Sequence, residues 1–312
     1  MSIVVIGATG NLGGLAVDAL IRRGVEPAEI VAAGRNPDRL AEHAARGVGT
    51  APIDLDDPAT LRAAFDGARR VLLVAVPGSE RRVAQHRNAI DAAKAAAVEL
   101  IAYTSWTHAD SSRMRVAVDH KATERALHDS GVPAATLRCP PYFESRTRWI
   151  PSWREAGQVA GAAGDGRISA ASRADLADAA AAVLTNTGHE SAVYELGGDD
   201  PFTMSEFAAE LSRQTGESIP YVNLSSDDYR ASLVSAGWPE AVVTNLADAD
   251  RAVADGEMLI DTGDLSRLVG RPLTALSEAI AQALHSLEAA THRDRRDAEV
   301  PGSNPGIPNE QR

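Results

Sequence analysis

The 312-residue sequence predicts a doubly wound α/β fold, a parallel sheet with helices on both faces, joined to a smaller discontinuous α+β lobe. Three observations predict it. Short β-rich runs alternate with Ala-rich stretches of helical period over the first 140 residues. Gly7-Ala8-Thr9-Gly10-Asn11-Leu12-Gly13 stands directly after the first run and opens a helix. The rhythm then breaks at Cys139-Pro140-Pro141, because consecutive prolines remove two backbone donors and stop any regular element.

The β-rich runs fall at Ser2–Ile6, Glu29–Ala33, Gly49–Ile53, Arg70–Ala75, Val98–Thr104 and Ala134–Arg138. Helical stretches lie between them at Leu12–Arg23, Pro58–Phe65, Glu80–Ala96 and Arg115–Asp129. Such alternation means βαβ units with right-handed crossovers. Gly24 ends the first helix, Asp57-Pro58 starts another, and Gly131 closes the long one after Ser130. Beyond the prolines, Tyr142–Trp153 reads as an aromatic, arginine-bearing connection, and Gly157, Gly161, Gly164 and Gly166 punctuate a flexible stretch. Arg173–Leu184 is a helix capped by Ser172, Val193–Leu196 a strand ended by Gly197-Gly198, Ser205–Thr215 a helix closed by Gly216, and Ile219–Asn223 a strand. The remainder to about 288 is helical, with Leu265, Leu268 and Val269 on one face. The expected organisation is a sheet domain over 1–139 with a return contribution near 165–200, and a lid-like domain from 140–164 and 200–288. Residues 290–312, with Pro301, Gly302, Pro305, Gly306 and Pro308, have the composition of a disordered tail.

Composition removes several classes. Hydrophobic residues at 44% and charged residues at 24% exclude wholesale disorder. The lone Cys139 makes neither an internal disulfide nor a Cys-based zinc site, and no His/Asp/Glu spacing suggests another metal. A net charge of −12, from 43 acidic against 31 basic residues, repels nucleic acid, and no basic patch with interleaved aromatics offsets it. No run approaches the roughly 18–20 apolar residues of a membrane span, and no basic segment opens a signal peptide. The expectation is a cytoplasmic protein directed at a small molecule. A homodimer is left open.

The spacing G-x-x-G-x-x-G, with a strand before and a helix after, is a variant of the dinucleotide fingerprint of Rossmann folds. Gly7, Gly10 and Gly13 permit the tight turn and the close approach of backbone to pyrophosphate, with Thr9, Asn11 and Leu12 completing the loop. The end of the second run selects the nucleotide. NAD-binding folds usually offer a carboxylate there to the ribose 2′-hydroxyl, but this sequence reads Gly34-Arg35-Asn36-Pro37-Asp38-Arg39. Arg35, with Arg39 one turn on, suits a 2′-phosphate and hence NADP(H); the alternative for Arg35 is a solvated turn residue. Asp54 after the third run suits the adenine amino group, beside Asp56 and Asp57, which read as caps. Val76 and Pro77 lie after the fourth run on the carboxyl edge, where the nicotinamide half passes.

Aromatic residues are only 4% and unevenly placed. The first 102 residues hold Phe65 alone, whereas Tyr103, Trp106, Tyr142, Phe143, Trp149 and Trp153 crowd the next 51. Trp106, Tyr142, Phe143, Trp149 and Trp153 are therefore candidates for the walls of a substrate pocket. Trp149 and Trp153, four apart, equally describe a core stripe.

Several segments together resemble the NmrA-like atypical short-chain dehydrogenase/reductases, and within that group the type 2 NAD(P)H:quinone oxidoreductases. They are Gly7–Gly13, Gly34–Pro37, Tyr103-Thr104-Ser105, His120-Lys121-Ala122-Thr123-Glu124, Asp129–Pro133, Thr136–Arg138, Tyr142-Phe143-Glu144 and Ser172–Asp175. The resemblance spans about residues 3–285. It implies an NADP(H)-dependent oxidoreductase that passes a hydride directly to a quinone or similar planar conjugated acceptor, without flavin or metal. It also places Thr104 and the small hydroxyl of Ser105 near the nicotinamide. Lys121 matches a lysine that, in isoflavone-reductase-like relatives, assists catalysis or holds the nicotinamide ribose. Ordinary short-chain dehydrogenases use Tyr-x-x-x-Lys, but four residues before Lys121 stands Ala117, so no tyrosine acid is available from this helix. Quinone reduction asks less of the protein, because an aromatic hydroquinone results. His120 could supply a proton or be a polar surface residue. Lys121 could be a plain helix-surface lysine and Ser105 a cap. The rival readings are an NADP(H)-sensing regulator without turnover and a tailoring reductase or epimerase of natural-product biosynthesis.

Overall fold

The computed structural model describes residues 2–76 and 80–299, with side chains as far as 289. The chain begins β1 (Ser2–Ile6), α1 (Asn11–Arg22), β2 (Ile30–Gly34), α2 (Pro37–Ala44), β3 (Gly49–Pro52), α3 (Pro58–Ala64) and β4 (Ala68–Leu73). It continues through α4 (Arg82–Ala95), β5 (Leu100–Trp106), α5 (Arg115–Ser130) and β6 (Ala134–Cys139). Past the prolines come α6 (Phe143–Thr147), α7 (Ile150–Ala156), β7 (Val159–Gly161), α8 (Arg173–Thr185) and β8 (Val193–Glu195). The last elements are α9 (Met204–Thr215), β9 (Tyr221–Asn223), α10 (Ser226–Ser235), α11 (Glu240–Ala254), α12 (Asp264–Val269) and α13 (Leu276–Glu299).

Seven parallel strands form one sheet in the order β3-β2-β1-β4-β5-β6-β8. Strand order reverses between β1 and β4, and the crevice at such a switch point is where ligands of open α/β sheets bind. Side chains alternate along each strand, so both faces are apolar. Ile3 and Val5 with Leu72 and Ala102 pack under α1 and α8, while Val4 and Ile6 with Leu73 and Tyr103 pack under α3, α4 and α5. The Ala179–Ala182 run of α8 is fully buried, and these small side chains let α8 lie close against α1. A third cluster, with Phe143, Ile150, Phe202, Phe207 and Ile280, forms the core of the lobe outside the sheet.

Local signals set most element ends as the sequence implies. Ser172 accepts from the Asp175 N–H, Asp57 from Ala59, and Asn36 from Asp38 and Arg39. Gly131 and Gly216 close α5 and α9 in the left-handed conformation. Two segments differ from expectation. Tyr142–Trp153 is no loose connection: Pro151 sits in the first turn of α7, where its missing N–H costs nothing, and α6 and α7 follow each other directly. The glycine-rich stretch after it is not simply flexible, because Val159–Gly161 pairs in parallel with Tyr221–Asn223. A Cβ on Gly161 would stand 2.8 Å from Asp250 Oδ2, and one on Gly166 would stand 2.1 Å from the Val253 carbonyl oxygen, so these glycines allow close packing. The expected tail begins inside α13, which runs to Glu299; residues 300–312 lie outside the described residues.

Candidate active site

The glycine loop leaves β1 and turns into α1. Gly7 has φ +82°, and a Cβ at Gly13 would lie 2.2 Å from the Gly7 carbonyl oxygen, so α1 presses directly on the turn. Gly10 caps α1 without a side chain, leaving the first N–H groups of the helix open to an anion. Thr9 is seated against Gly34, where a Cβ would come within 2.5 Å of its hydroxyl, and His43 Nε2 donates to the Ala8 carbonyl at 3.1 Å. An open groove of about 450 Å³ runs from Gly10 and Asn11 to Arg39. Leu12 and Gly13 are buried beneath it.

Arg35, at the end of β2, is exposed and has no partner among the described residues. Arg39 is paired with Glu42 at 2.8 Å. Asp54 is exposed, and one carboxylate oxygen accepts from the Asp56 N–H at 2.9 Å, so it caps its own turn as well as facing solvent. Pro77 lies outside the described residues.

A second cavity, of about 390 Å³, opens at the carboxyl ends of β4, β5 and β6. The sheet contributes Val76, Thr104, Ser105, Trp106 and Cys139; the lobe contributes Tyr142, Trp149, Leu246 and Met258; the helices on one face contribute Arg82 and His120. Thr104 Oγ1 accepts from the Ala75 N–H at 2.8 Å and pins the exit of β4. β5 runs two residues beyond its expected end because Trp106 still pairs with Cys139, and this carries the indole to the cavity rim. The Cys139 thiol is buried and pushed up to about 12, mainly by desolvation, so it stays protonated.

His120 is buried rather than on the surface, with Nδ1 2.8 Å from the Tyr103 hydroxyl. Burial, with the Arg82 guanidinium and His86 adding to it, pushes its imidazole down to about 3. His86, behind it, is pushed down to about 4 by burial and then by Arg82. The Val76 N–H donates to His86 Nε2 at 3.3 Å, so His86 Nδ1 carries the proton and donates to Thr123 Oγ1 at 3.0 Å. Thr123 in turn donates to the Asp119 carbonyl at 2.9 Å.

The remaining candidates disperse. Lys121 follows His120 on α5 but points some 100° away around the helix. It is exposed, does not line the cavity, and donates from Nζ to the Asp110 carbonyl at 3.0 Å. Ser105 lines the cavity, yet its hydroxyl donates to Glu124 Oε1 at 2.5 Å, within a buried network in which Arg138 holds Glu124 and Glu195. Phe143 is turned away from Tyr142 into the lobe core and stacks on Phe202, with centroids 5.8 Å apart. Trp153 packs edge-on against Phe207 and misses this cavity. Arg82 and Met258 were not legible from the sequence. The one hint for Arg82 was two arginines at a helix start, where the dipole disfavours cations.

An uncapped glycine turn at the strand-order reversal, with an unengaged guanidinium at the end of the neighbouring strand, defines the doubly wound, dinucleotide-binding class. Comparison with known proteins narrows this: the NAD(P)H-binding family matches residues 7–187, more than half of the chain, and the chain belongs to that family. It is 42% identical over 279 residues to quinone oxidoreductase 2 of Escherichia coli (strain K12), covering 89% of this chain and 97% of that protein. The crystal structure of the E. coli NADPH-dependent quinone oxidoreductase complexed with NADPH matches with a TM-score of 0.87, over 90% of this chain and 99% of that one. Triphenylmethane reductase of Citrobacter sp., complexed with NADP(H), is 35% identical with a TM-score of 0.85, over 90% and 100%. No helix among the described residues is long and apolar enough to cross a membrane.

Proposed function

We propose that this chain is an NADPH-dependent oxidoreductase that transfers a hydride directly to a quinone or similar planar conjugated acceptor. The observation that carries the reading is the cavity at the ends of β4–β6, walled by Trp106, Tyr142 and Trp149, in a chain 42% identical to a quinone oxidoreductase. The dinucleotide fits this chain's own residues. The loop comes so close to α1 that only glycine is tolerated at position 13, and Arg35 stands free to take a 2′-phosphate. When bound, NADPH supplies the hydride, and no flavin or metal is needed for that step. A cytoplasmic location accompanies this reading, with the single thiol buried and unpaired.

The residues around the cavity bind, orient and hold a proton. Thr104 fixes the exit of β4, and Trp106, Tyr142 and Trp149 offer flat apolar walls to a conjugated ring. Tyr103 is fully buried with its hydroxyl 2.8 Å from His120 Nδ1, and in this reading the phenol donates its proton there. His120 then carries its own proton on Nε2, which has no partner among the described residues, and presents it to an acceptor oxygen that gains negative charge. Lys121 steadies the Asp110 carbonyl on the outer face of α5.

The test is NADPH consumption against a panel of quinones and other conjugated acceptors. Turnover with at least one is expected, and none with any would sink the reading. His120→Phe, which removes the donor and keeps a ring, should lower kcat about 10–100-fold at unchanged NADPH affinity. A sensor without turnover is the second reading, favoured by Ala117, which is buried where short-chain dehydrogenases carry tyrosine. The same panel separates the two.

A further inference from the structure

Beyond Trp149 lies another cavity, of about 290 Å³, that the proposed reaction does not use. It shares Arg146, Trp149 and Leu246 with the acceptor cavity, so the two are neighbours across a common wall. Three of the chain's four tryptophans, Trp149, Trp153 and Trp238, line it together with Tyr221 and Tyr229. Trp149 meets Trp238 edge-to-face, with centroids 5.0 Å apart, and Trp153 is held by Phe207. These rings are braced by one another, a preformed surface for a further aromatic group.

Two of the polar side chains here are already engaged within the protein. Asp250, 2% exposed, accepts from Arg146 at 3.3 Å and from the Ala162 N–H at 2.8 Å, so the cavity floor carries a balanced pair. The Tyr221 hydroxyl accepts from the Ala163 N–H and donates to Asn223 Oδ1. Tyr229 is 7% exposed and lines the cavity, yet its hydroxyl has no hydrogen-bond partner among the described residues. Its oxygen is not among the sealed-off unpartnered polar atoms, so it opens onto the cavity, where a ligand atom can replace water as its partner. Burial pushes the Tyr229 phenol up, so it stays a donor.

Room in the first cavity sharpens the point. Its roughly 390 Å³ must take the nicotinamide ring as well as the acceptor ring, near the low end of the about 300–1,000 Å³ typical of ligand cavities. A substituent of any size has to go elsewhere. We propose that the cavity between α7, α10 and α11 is a second acceptor subsite, which takes a neutral aromatic arm bearing one oxygen that hydrogen-bonds Tyr229. The favoured acceptor is then a two-part molecule, its reducible ring on one side of Trp149 and its arm on the other. This rests on the proposed reductase function and adds the acceptor's shape to it.

The test compares methyl-1,4-benzoquinone with the same ring carrying a 2-(4-hydroxyphenyl)ethyl arm, in wild type, Ser232→Trp and Tyr229→Phe. Ser232 is exposed at the cavity rim, so its replacement fills the subsite from outside the core. The armed quinone should show a kcat/KM about tenfold or more above the bare one in wild type, as expected for burying a ring. Ser232→Trp should remove that ratio, and Tyr229→Phe should lower it about 3–10-fold, one hydrogen bond's worth. An unchanged ratio in both variants, or equal kcat/KM for both quinones in wild type, overturns the proposal. If neither quinone turns over, the reductase reading is at fault, and quenching of tryptophan fluorescence by 4-ethylphenol tests the subsite alone. Quenching in wild type that Ser232→Trp abolishes supports it; no quenching, or the same in both, overturns it.

Discussion

Around the glycine loop, the groups offered to a ligand are backbone N–H groups and one guanidinium, all within 35 residues of the N-terminus. Around the two apolar cavities they are side chains, and Trp106, Tyr142, Trp149, Trp238 and Leu246 reach them from five separate elements or connections. In the proposed function the first region takes the phosphate and ribose of the dinucleotide, chiefly through main chain that cannot be substituted. The second recognises a particular shape through rings that can. Affinity for the cofactor should therefore depend on a few local positions, while acceptor choice is spread over many distant ones.

Breaking the first region should have the largest effect. Gly13→Val drives a branched side chain into the Gly7 carbonyl, and we expect a loss of about 3 kcal/mol of stability or more, with NADPH affinity down at least about 100-fold. Thermal unfolding and fluorescence titration would measure both; wild-type values in each would refute the cradle. Arg35→Glu comes next. It should weaken NADPH by roughly 50–100-fold and NADH by less than about threefold, since only the 2′-phosphate meets the charge. Equal losses for the two nucleotides would contradict the assignment of Arg35.

Acid sharpens the boundary between the regions. His86 and His120 are held neutral in the fold, with values near 4 and 3, but take up protons near 6.5 once unfolded. The unfolded chain then binds more protons, so stability should fall as pH drops from about 6.5 towards 4, at roughly 1.4 kcal/mol per pH unit for each group. Denaturant midpoints at pH 7 and pH 5 would show it. Turnover limited by a neutral His120 should stay flat from pH 6 to 8. The smallest effect belongs to Lys121→Ala, within about twofold in kcat/KM, because its ammonium holds the Asp110 carbonyl outside the cavity. A hundredfold loss would return Lys121 to the chemistry.

That contrast also separates what could be read from the sequence. The glycine turn and the strand–helix alternation were legible because each is a short-range pattern set by local sequence, and the exposed position of Arg35 after β2 follows from the same pattern. The sheet's β8 and the cap at Ser172 were legible for the same reason. Side-chain direction was not. Tyr142 and Phe143 are adjacent in sequence, but one faces the cavity and the other stacks on Phe202, a partner 59 positions away. His120 and Lys121 divide between buried and exposed according to what α5 packs against. Trp238 and Tyr229 gave no local signal, since only the approach of α10 and α11 to α7 brings them to Trp149.

The seventh strand has a consequence for assembly. β8 pairs with β6 in the register Thr136↔Val193, after the chain has left the sheet and built part of the lobe. Six strands and the glycine turn can thus form from nearby sequence, whereas the edge strand must wait for a long loop to close. A chain emerging from the ribosome has its glycine turn, with Trp106 already on β5, before Tyr142, Trp149 and the rest of the lobe can close the acceptor cavity. Capture of the dinucleotide on that early half would bias the equilibrium toward the folded sheet on which the later elements dock.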